Sequence, residues 1–273
     1  MVKRLVVFVL LFLSAVELAT AHDLKLYFFN VGEGDATLVK TKDAAVLIDA
    51  GNLITGFSLV RKLRKLGVKR IDALIITHPH PDHMGGVFHV LQAFRVKSRF
   101  DNGQPLPVER DIYRWYGQIF RTGTYRVLRA KDTLRFGVLK IDVLSPYVLG
   151  RNWNDNSLVL RLSFGKMRFL FMADASLRVE KRLLDAGCGL RSVLLKVGHH
   201  GAKDATSVRF LKAVSPRISV IFAARHHFHG YPSASVVRRI KCAGSLLFIT
   251  GFDGDILVET DGRILKFRRV DNL

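Results

Sequence analysis

The sequence predicts an α/β fold in a single large domain, and three observations lead to this prediction. The chain has 273 residues, a length that suits one core of this class. Short apolar segments of strand length alternate with stretches of helical length. Several apolar segments end in polar side chains, and ligand sites of α/β proteins gather at the carboxyl ends of strands. No internal repeat or low-complexity segment is visible.

Residues 1–21 have the pattern of a secretory signal peptide. Lys3 and Arg4 precede a short apolar run, and residues 19–21 read Ala-Thr-Ala, which suits a cleavage site. The apolar run is too short to span a bilayer comfortably. We therefore expect an exported protein, periplasmic or extracellular, whose domain is residues 22–273. An uncleaved membrane anchor is the alternative interpretation.

The elements follow in order along the rest of the chain. Strands are expected at 24–30, 36–41, 45–49, 71–76, 139–145, 158–162, 169–172, 193–197, 219–224 and 245–250. Helices are expected at 57–66, 85–94, 177–186 and 234–241. Gly32 and Gly34 permit a tight turn between the first two strands. Asp49, which ends the third strand, is expected to support a neighbouring loop by hydrogen bonds, although it could also serve only as a turn residue.

Residues 95–134 are the least regular part. They combine cations and aromatic rings, as in Arg114 and Trp115, and this mixture suits a phosphate backbone and stacked bases. An amphipathic helix whose rings pack on the core explains the same pattern equally well. The formal net charge of +20 points to a polyanionic partner, such as nucleic acid or an anionic surface, and says little about fold.

The segment from Thr77 to Gly86, THPHPDHMGG, is the most informative motif in the chain. It follows an apolar strand and precedes a helix, so its side chains lie on the loop that leaves the strand. Imidazole and carboxylate groups are ligands that zinc and manganese accept. His78 and His80 alternate on an extended segment and can bind one ion, whereas Asp82 and His83 can bind a second. A solvated histidine-rich loop is the alternative interpretation.

Polar residues also follow four later strands or enter them. We expect these residues to converge with the histidine motif, because they occupy equivalent places in the predicted sheet. They are Asn156 and Ser157, Asp174, His199 and His200, and His229.

Several segments together resemble the metallo-β-lactamase-like domain of the DNA-internalisation competence proteins. They read VGEGDATLV, LIDAG, THPHPDHMGG, NDNSLVLRL, FLFMADAS and LKVGHHGAKDATS. The resemblance covers residues 24–264 and implies a four-layer αββα sandwich with a dinuclear metal site. It also implies a metal-dependent nuclease that degrades one DNA strand during uptake. We find no counterpart of the multi-helix channel region of those proteins, so we expect the exported hydrolase domain alone.

The sequence departs from the family pattern at three places. Ala173 stands where the family has glycine before Asp174. Ala202 replaces a serine after the His-His-Gly segment. Tyr231 precedes Pro232 where the family often has histidine, which leaves open whether His229 fills the same space.

The resemblance also implies a division of roles among the residues of the site. The first ion is expected on His78, His80 and Asp174. The second is expected on Asp82, His83, Asp174 and His199, with His200 as the alternative to His199. Asp82, His200 and His229 are the expected catalytic residues. The expected substrate-binding residues are Asn156, Ser157, Lys203, Arg114 and Trp115.

Fewer imidazoles and more oxygen ligands than in a three-histidine site shift the metal preference from zinc towards manganese, with magnesium as a further candidate. We expect a phosphodiesterase acting on DNA, including single strands. Alternatives are hydrolysis of another anionic phosphodiester such as a cell-wall polymer, hydrolysis of a lactone, and a DNA-binding component of uptake machinery without turnover. Cys188 and Cys242 are expected as two free, buried thiols, with a disulfide as the alternative.

Overall fold

The computed structural model describes residues 23–226, 229–270 and 273, so the predicted signal peptide lies outside the described residues. Within this part of the chain, no helix combines the length and the apolar character needed to cross a membrane. The strands are β1 (Leu24–Phe28), β2 (Thr37–Lys40), β3 (Ala45–Ile48), β4 (Arg70–Ile75), β5 (Arg95–Asp101), β6 (Tyr125–Val127), β7 (Thr133–Phe136), β8 (Leu139–Ser145), β9 (Val159–Phe164), β10 (Met167–Phe171), β11 (Leu194–Lys196), β12 (Ile218–Ile221), β13 (Leu246–Ile249), β14 (Asp255–Thr260) and β15 (Leu265–Val270). The helices are α1 (Gly56–Lys65), α2 (Pro81–Met84), α3 (Val87–Ala93), α4 (Asp111–Ile119), α5 (Leu177–Asp185), α6 (Val208–Val214), α7 (Ala234–Cys242) and α8 (Thr250–Asp253).

The strands form two sheets. The first has eight strands in the order β15-β14-β1-β2-β3-β4-β5-β6, and the second has seven in the order β13-β12-β11-β10-β9-β8-β7. Strands β3 to β6 pair in parallel, as do β10 to β13, and the other pairs are antiparallel. Parallel neighbours end at the same edge of a sheet, so the loops that leave β10, β11 and β12 lie side by side.

Helices cover the outer face of each sheet. Successive side chains of β1 point to opposite faces: Leu26 and Phe28 enter the core between the sheets, whereas Tyr27 packs towards the helices. Helices α1, α3 and α4 contribute to the core on the first sheet, and α5, α6 and α7 to the core on the second. The layers are therefore helix, sheet, sheet and helix, and the predicted four-layer sandwich is confirmed.

The segment between β5 and β7 is more regular than the sequence suggested. It contains α4 and β6, and α4 is anchored to the end of β5 by Asp101. This buried carboxylate accepts hydrogen bonds from the Tyr116 hydroxyl at 2.9 Å, the Tyr125 hydroxyl at 2.6 Å and Arg121 Nε at 2.7 Å. Tyr116 is fully buried, so the rings pack on the core as the amphipathic-helix interpretation predicts.

Both cysteines carry free thiols. Cys188 is half-buried after α5, and Cys242 is exposed at the end of α7. The expectation of free thiols is therefore confirmed, but the expectation of burial is wrong, because Cys188 is only half-buried and Cys242 is exposed. The last turn of α7 also carries the exposed Lys241, and Cys242 lies beside it on the outer surface of the helix layer.

Candidate metal centre

An open cavity of about 380 Å³ lies where the carboxyl ends of β4, β10 and β11 meet. Most of the residues around it carry groups that can bind metal or anionic ligands. They are Glu33, Asn52, His80, Pro81, Asp82, Asn154, Asp174, His199, His200, His229 and Tyr231.

The order of residues after β4 explains how one short segment serves two sets of ligands. His80 has extended backbone angles and is the residue before the first turn of α2. Pro81 occupies the first position of α2, where its fixed φ suits a helix start and its missing N–H costs nothing. His78 and His80 therefore lie on extended chain, whereas Asp82 and His83 lie on the helical turn.

His78, His80 and Asp174 form one group of candidate ligand atoms. His78 Nε2 lies 2.9 Å from His80 Nδ1 and 3.7 Å from Asp174 Oδ2. A metal that binds nitrogen and oxygen at about 2.0–2.2 Å has ligand-to-ligand edges of roughly 3–3.6 Å. The two distances, 2.9 and 3.7 Å, lie just below and just above this range, so small side-chain shifts would let a single small cation bind all three residues.

Asp82, His83, Asp174 and His200 form a second group. His83 Nε2 lies 3.5 Å from Asp82 Oδ2 and 3.4 Å from Asp174 Oδ2. His200 Nε2 lies 3.2 Å from the same atom of Asp82 and 3.4 Å from the same atom of Asp174. All these edges fit one small cation.

Asp174 belongs to both groups. Its Oδ1 and the Nε2 of His83 are buried and have no hydrogen-bond partner within the described part of the chain. A buried polar atom without a partner is costly, and a metal ion would satisfy both atoms. The residues present therefore fit a divalent metal centre in which Asp174 can serve two ions.

Asp49 and Ser157 hold these ligands in place from behind. Asp49 accepts hydrogen bonds from the Thr77 backbone N–H and hydroxyl, both at 2.8 Å, and its Oδ2 lies 2.9 Å from His83 Nδ1. The Ser157 hydroxyl accepts a hydrogen bond from the Asp174 N–H at 3.2 Å. Such contacts fix the ring orientation and the tautomer of a metal-binding histidine. Asp49 thus has the supporting role expected from the sequence.

A buried ion pair that the sequence reasoning missed lies below the cavity. Lys196, at the end of β11, is only 1% exposed and forms an ion pair with Asp35. Its Nζ also donates to the Ala173 carbonyl at 2.8 Å and lies 4.0 Å from Asp174 Oδ1. This ammonium group compensates part of the negative charge of the site. The only sequence signal for it was a lysine within an otherwise apolar strand, LLKV.

Burial and the neighbouring carboxylates shift the histidine pKa values in opposite directions. Burial lowers the pKa of His200, but the charge of Asp174 and hydrogen bonds with Asp174 and Asp82 outweigh it and raise the value to about 10. The pKa of His83 is likewise raised despite burial, by Asp174 and Asp82. Burial and the charge of His83 lower the pKa of His78 well below its usual value. His78 therefore offers a neutral nitrogen, whereas His83 and His200 hold protons that a metal would displace.

The structure places His200, and not the favoured His199, in the second ligand group. Both residues have positive φ, 45° for His199 and 51° for His200, and their rings lie 6.2 Å apart between centroids at an interplanar angle of 60°. His200 is buried and its Nδ1 lies 3.0 Å from the Phe222 carbonyl, which directs Nε2 towards the carboxylates. His199 lines the cavity wall with Nε2 3.2 Å from Asn154 Nδ2. The sequence could not distinguish two adjacent histidines.

The expected substrate-binding residues do not gather at the cavity. Asn156 and Ser157 are buried behind it, and the Asn156 side chain donates to Gln104 Oε1 at 2.5 Å and to the Gly150 carbonyl at 2.8 Å. Lys203 is exposed outside the residues that line the cavity. Of the expected polar residues, His229 does lie on the cavity wall.

Arg114 and Trp115 also lie away from the cavity, on α4. Arg114 forms an ion pair with Asp111, and the Trp115 ring contacts Phe88 with centroids 5.3 Å apart. The ring beside the metal ligands is instead that of Trp153, which stacks on His80 at 5.4 Å between centroids. Helix α4 places Arg114 at the surface and Trp115 against the core of the first helix layer, whereas the loop before β9 brings Trp153 to the site.

A family model for the metallo-beta-lactamase superfamily matches residues 29–226. The chain belongs to the metallo-beta-lactamase superfamily. This membership and the cluster of histidine and aspartate ligands indicate a metal-dependent hydrolase. The match spans the histidine motif, Asp174 and the paired histidines, so the family signal and the ligand geometry concern the same residues.

Relatives and solved structures agree with this membership. The chain is 26% identical to ComE operon protein 3 of Bacillus subtilis, over 87% of this chain and 33% of that protein. It is 29% identical to recombination protein 2 of Haemophilus influenzae, over 84% of this chain and 28% of that protein. The chain thus spans about a third of the length of these curated relatives. The fold is similar to that of the metallo-beta-lactamase fold protein YhfI from Bacillus subtilis, with a TM-score of 0.54, 14% identity, and coverage of 82% of this chain and 96% of that one.

Proposed function

We propose that this protein is a metal-dependent phosphodiesterase that cleaves DNA. The observation that carries the proposal is the sharing of Asp174 between two ligand groups on the floor of an open cavity. Two ions held on one carboxylate suit an in-line displacement at phosphorus, because both the attacking and the leaving oxygen need charge stabilisation. Zinc and manganese are the candidate metals, with magnesium as a third.

Each ligand has a place in this proposal. His78 and His80 would hold one ion, Asp82, His83 and His200 would hold the other, and Asp174 would contribute to both. When bound, the ions would supply an activated water and stabilise negative charge on the phosphoryl oxygens. His200 replaces His199 as the proposed ligand, which leaves His199 and His229 on the cavity wall, where an imidazole can donate a hydrogen bond to a phosphoryl or leaving oxygen.

The charge favours a polyanionic substrate, and the relatives favour DNA among the polyanions. The formal net charge of +20 attracts polyanions and raises their local concentration. The relatives include a competence protein of Neisseria gonorrhoeae, 27% identical over 83% of this chain and 31% of that protein. We propose that the protein acts in DNA uptake after export, in line with the signal-peptide pattern of residues 1–21.

Incubation of the protein with labelled single- and double-stranded DNA tests the proposal. Parallel reactions contain Mn²⁺, Zn²⁺, Mg²⁺ or EDTA. Cleavage that requires a divalent metal and is lost in the Asp82→Ala variant supports the phosphodiesterase. Tight DNA binding without cleavage under every metal would instead support a binding component. Cleavage of a wall-type polyol phosphate but not of DNA would support the cell-wall alternative.

A further inference from the structure

A second cavity of about 550 Å³ adjoins the metal centre, and Tyr231 lines both. On the metal side, the Tyr231 ring lies 6.5 Å from the His200 ring and 5.6 Å from the His229 ring, measured between centroids. On the other side the cavity runs along α7 to Phe252 in α8. We call this second cavity the side groove. The two cavities therefore share the Tyr231 ring as a common wall, and the side groove is a direct neighbour of the metal centre.

The side groove combines an apolar floor with a cationic rim. Phe252 is 57% exposed, and the Arg225 guanidinium lies 5.7 Å from the centre of its ring. Arg238 and Lys241 are three residues apart on α7, so both side chains reach the same side of this helix. No acidic residue is among the described residues that line the groove. Such a surface has the charge of a phosphate-binding site and the flat ring of a stacking site.

The groove is fixed to the loop that carries His200. The Ser233 N–H donates to the Gly201 carbonyl at 2.9 Å, and Arg239 Nη2 donates to the Ala205 carbonyl at 2.8 Å. These bonds join the start and the middle of α7 to the residues that follow His200. The cations of α7 are therefore held at a constant position relative to the metal ligands, as a substrate-binding subsite requires.

We infer that the side groove binds a single-stranded nucleic-acid segment next to the phosphodiester bond that is cleaved. An unpaired base stacks on the exposed ring of Phe252, and the flanking phosphates contact Arg225, Arg238 and Lys241. Aromatic stacking of this kind accepts any base, whereas paired bases inside a duplex have no free face to offer. This inference rests on the proposed phosphodiesterase function and adds a strand preference to it.

Nucleic acid fits the groove better than another anionic polymer does. A wall polymer of sugar or polyol phosphates would engage the three cations but has no planar ring for Phe252. The exposed Phe252 ring beside the Arg225 guanidinium distinguishes nucleic acid from a wall polymer. A planar base can lie against the ring and the guanidinium, and a polyol phosphate has no such plane.

Binding and cleavage of two labelled oligonucleotides test the inference. One is a thymidine single strand, and the other has the same backbone with abasic residues. The variants are Phe252→Ala and the double variant Arg238→Ala/Lys241→Ala. The matched control is Lys166→Ala/Arg191→Ala, which removes two exposed cations from a cleft at the opposite end of the second sheet. Circular dichroism verifies that each variant is folded.

We expect the protein to bind the thymidine strand about tenfold more tightly than the abasic strand. Phe252→Ala should remove this preference by weakening only the thymidine strand, and should raise KM while kcat is retained. The double variant of α7 should weaken both strands about equally, and the control should change neither by more than about twofold. Binding is measured in EDTA, so the groove is tested even if no phosphodiester is cleaved.

Three results would overturn the inference. An unchanged preference in Phe252→Ala would exclude base stacking at this ring. Equal losses of oligonucleotide affinity in the α7 variant and in the control would show that binding depends only on the overall charge of the protein. Binding of the abasic strand as tightly as the thymidine strand would point to a polyanion without bases. Absence of cleavage by the wild type under every metal would instead contradict the proposed function, with the binding result still decisive for the groove.

Discussion

At the scale of single residues, Asp174 is the side chain on which the site depends most. It is 2% exposed and follows the apolar strand β10, where a carboxylate is unfavourable unless it is paired. His78, His83 and His200 all place Nε2 within 3.7 Å of its Oδ2. The side chain of Asp82, by comparison, is 35% exposed and belongs to one group only.

We predict that Asp174→Asn lowers metal content at both positions, whereas Asp82→Ala empties one. Asp174 belongs to both ligand groups and would hold two ions, whereas Asp82 belongs only to the group of His83 and His200 and would hold one. Elemental analysis should give about two ions per chain for the wild type, about one for Asp82→Ala and fewer than one for Asp174→Asn. Both variants should remain folded by circular dichroism. Two ions per chain and normal cleavage in Asp174→Asn would leave Asp174 without the bridging role.

The protonated histidines predict that metal uptake releases protons. Without metal, the carboxylates around His83 and His200 raise both pKa values, so both rings carry protons at neutral pH. A metal needs the free nitrogen, so we expect release of about two protons per chain. The affinity should increase as the pH rises and level off as the pH passes the His200 pKa of about 10. Calorimetric titration with Zn²⁺ in buffers of different ionisation enthalpy gives the proton count.

His199→Ala provides the control for this titration, because His199 lies outside both ligand groups. It should keep the proton count of the wild type. A metal affinity that is independent of pH between 6 and 8 in the wild type would contradict the assignment of His83 and His200 as ligands.

At the scale of elements, the loop between β1 and β2 supports α2 and the ligands on it. The Asp35 N–H donates to the Asp82 carbonyl at 3.3 Å, and Gly34 lies against the same carbonyl. A Cβ added at Gly34 would lie 1.9 Å from the Asp82 oxygen. Gly32 belongs to the same loop and also has positive φ, but a Cβ there would meet nothing within 4 Å. Substitution of Gly32 therefore tests backbone strain alone, whereas substitution of Gly34 tests the same strain together with a close contact.

We predict that Gly34→Ala impairs metal binding and stability far more than Gly32→Ala. Both changes introduce a side chain at positive φ, which costs about 1 kcal/mol. Only Gly34→Ala also forces the loop away from α2, and this displaces Asp82 and His83. Urea denaturation and metal titration of the two variants provide the comparison. Similar losses of stability and of metal affinity in both variants would mean that positive φ alone explains the requirement for glycine.

At the scale of the whole molecule, the excess of positive charge is the property that concerns function most directly. The chain has 43 basic and 23 acidic residues. Some of the cations are largely buried in ion pairs, such as those of Lys62 with Asp255 and Arg121 with Asp101. Others, including Arg238 and Lys241, are exposed beside the metal centre. These exposed cations are available to phosphates.

We predict that DNA binding weakens steeply with salt. Each phosphate contact releases condensed counterions, so log affinity should fall linearly with log salt concentration. The slope is about 0.9 per contact on duplex DNA and about 0.7 on single strands. Fluorescence anisotropy in EDTA at several salt concentrations measures it. A flat response would show that the basic surface serves another purpose.

The sequence by itself determined the class of fold, the family and most of the ligands. A histidine motif after an apolar strand, with an aspartate after a later strand, is local information, because each residue is fixed by its place at the end of its own strand. His78, His80, Asp82, His83 and Asp174 converge in the structure as that reasoning expected. The regular patterns of apolar residues likewise predicted most of the strands and half of the helices in the described part of the chain.

Only the tertiary structure decided which of two adjacent residues faces the site. His199 and His200 have similar positive φ values and differ by the partner that each ring finds, which is not encoded in spacing. Lys196 ends β11 of the second sheet and Asp35 lies on the β1–β2 loop of the first, so their buried ion pair exists only after the sheets have packed. The same holds for the side groove, whose residues lie on the loop after β12, on α7, at the end of β13 and on α8. Local patterns fix where a strand ends, but side-chain direction depends on contacts between residues far apart in the chain.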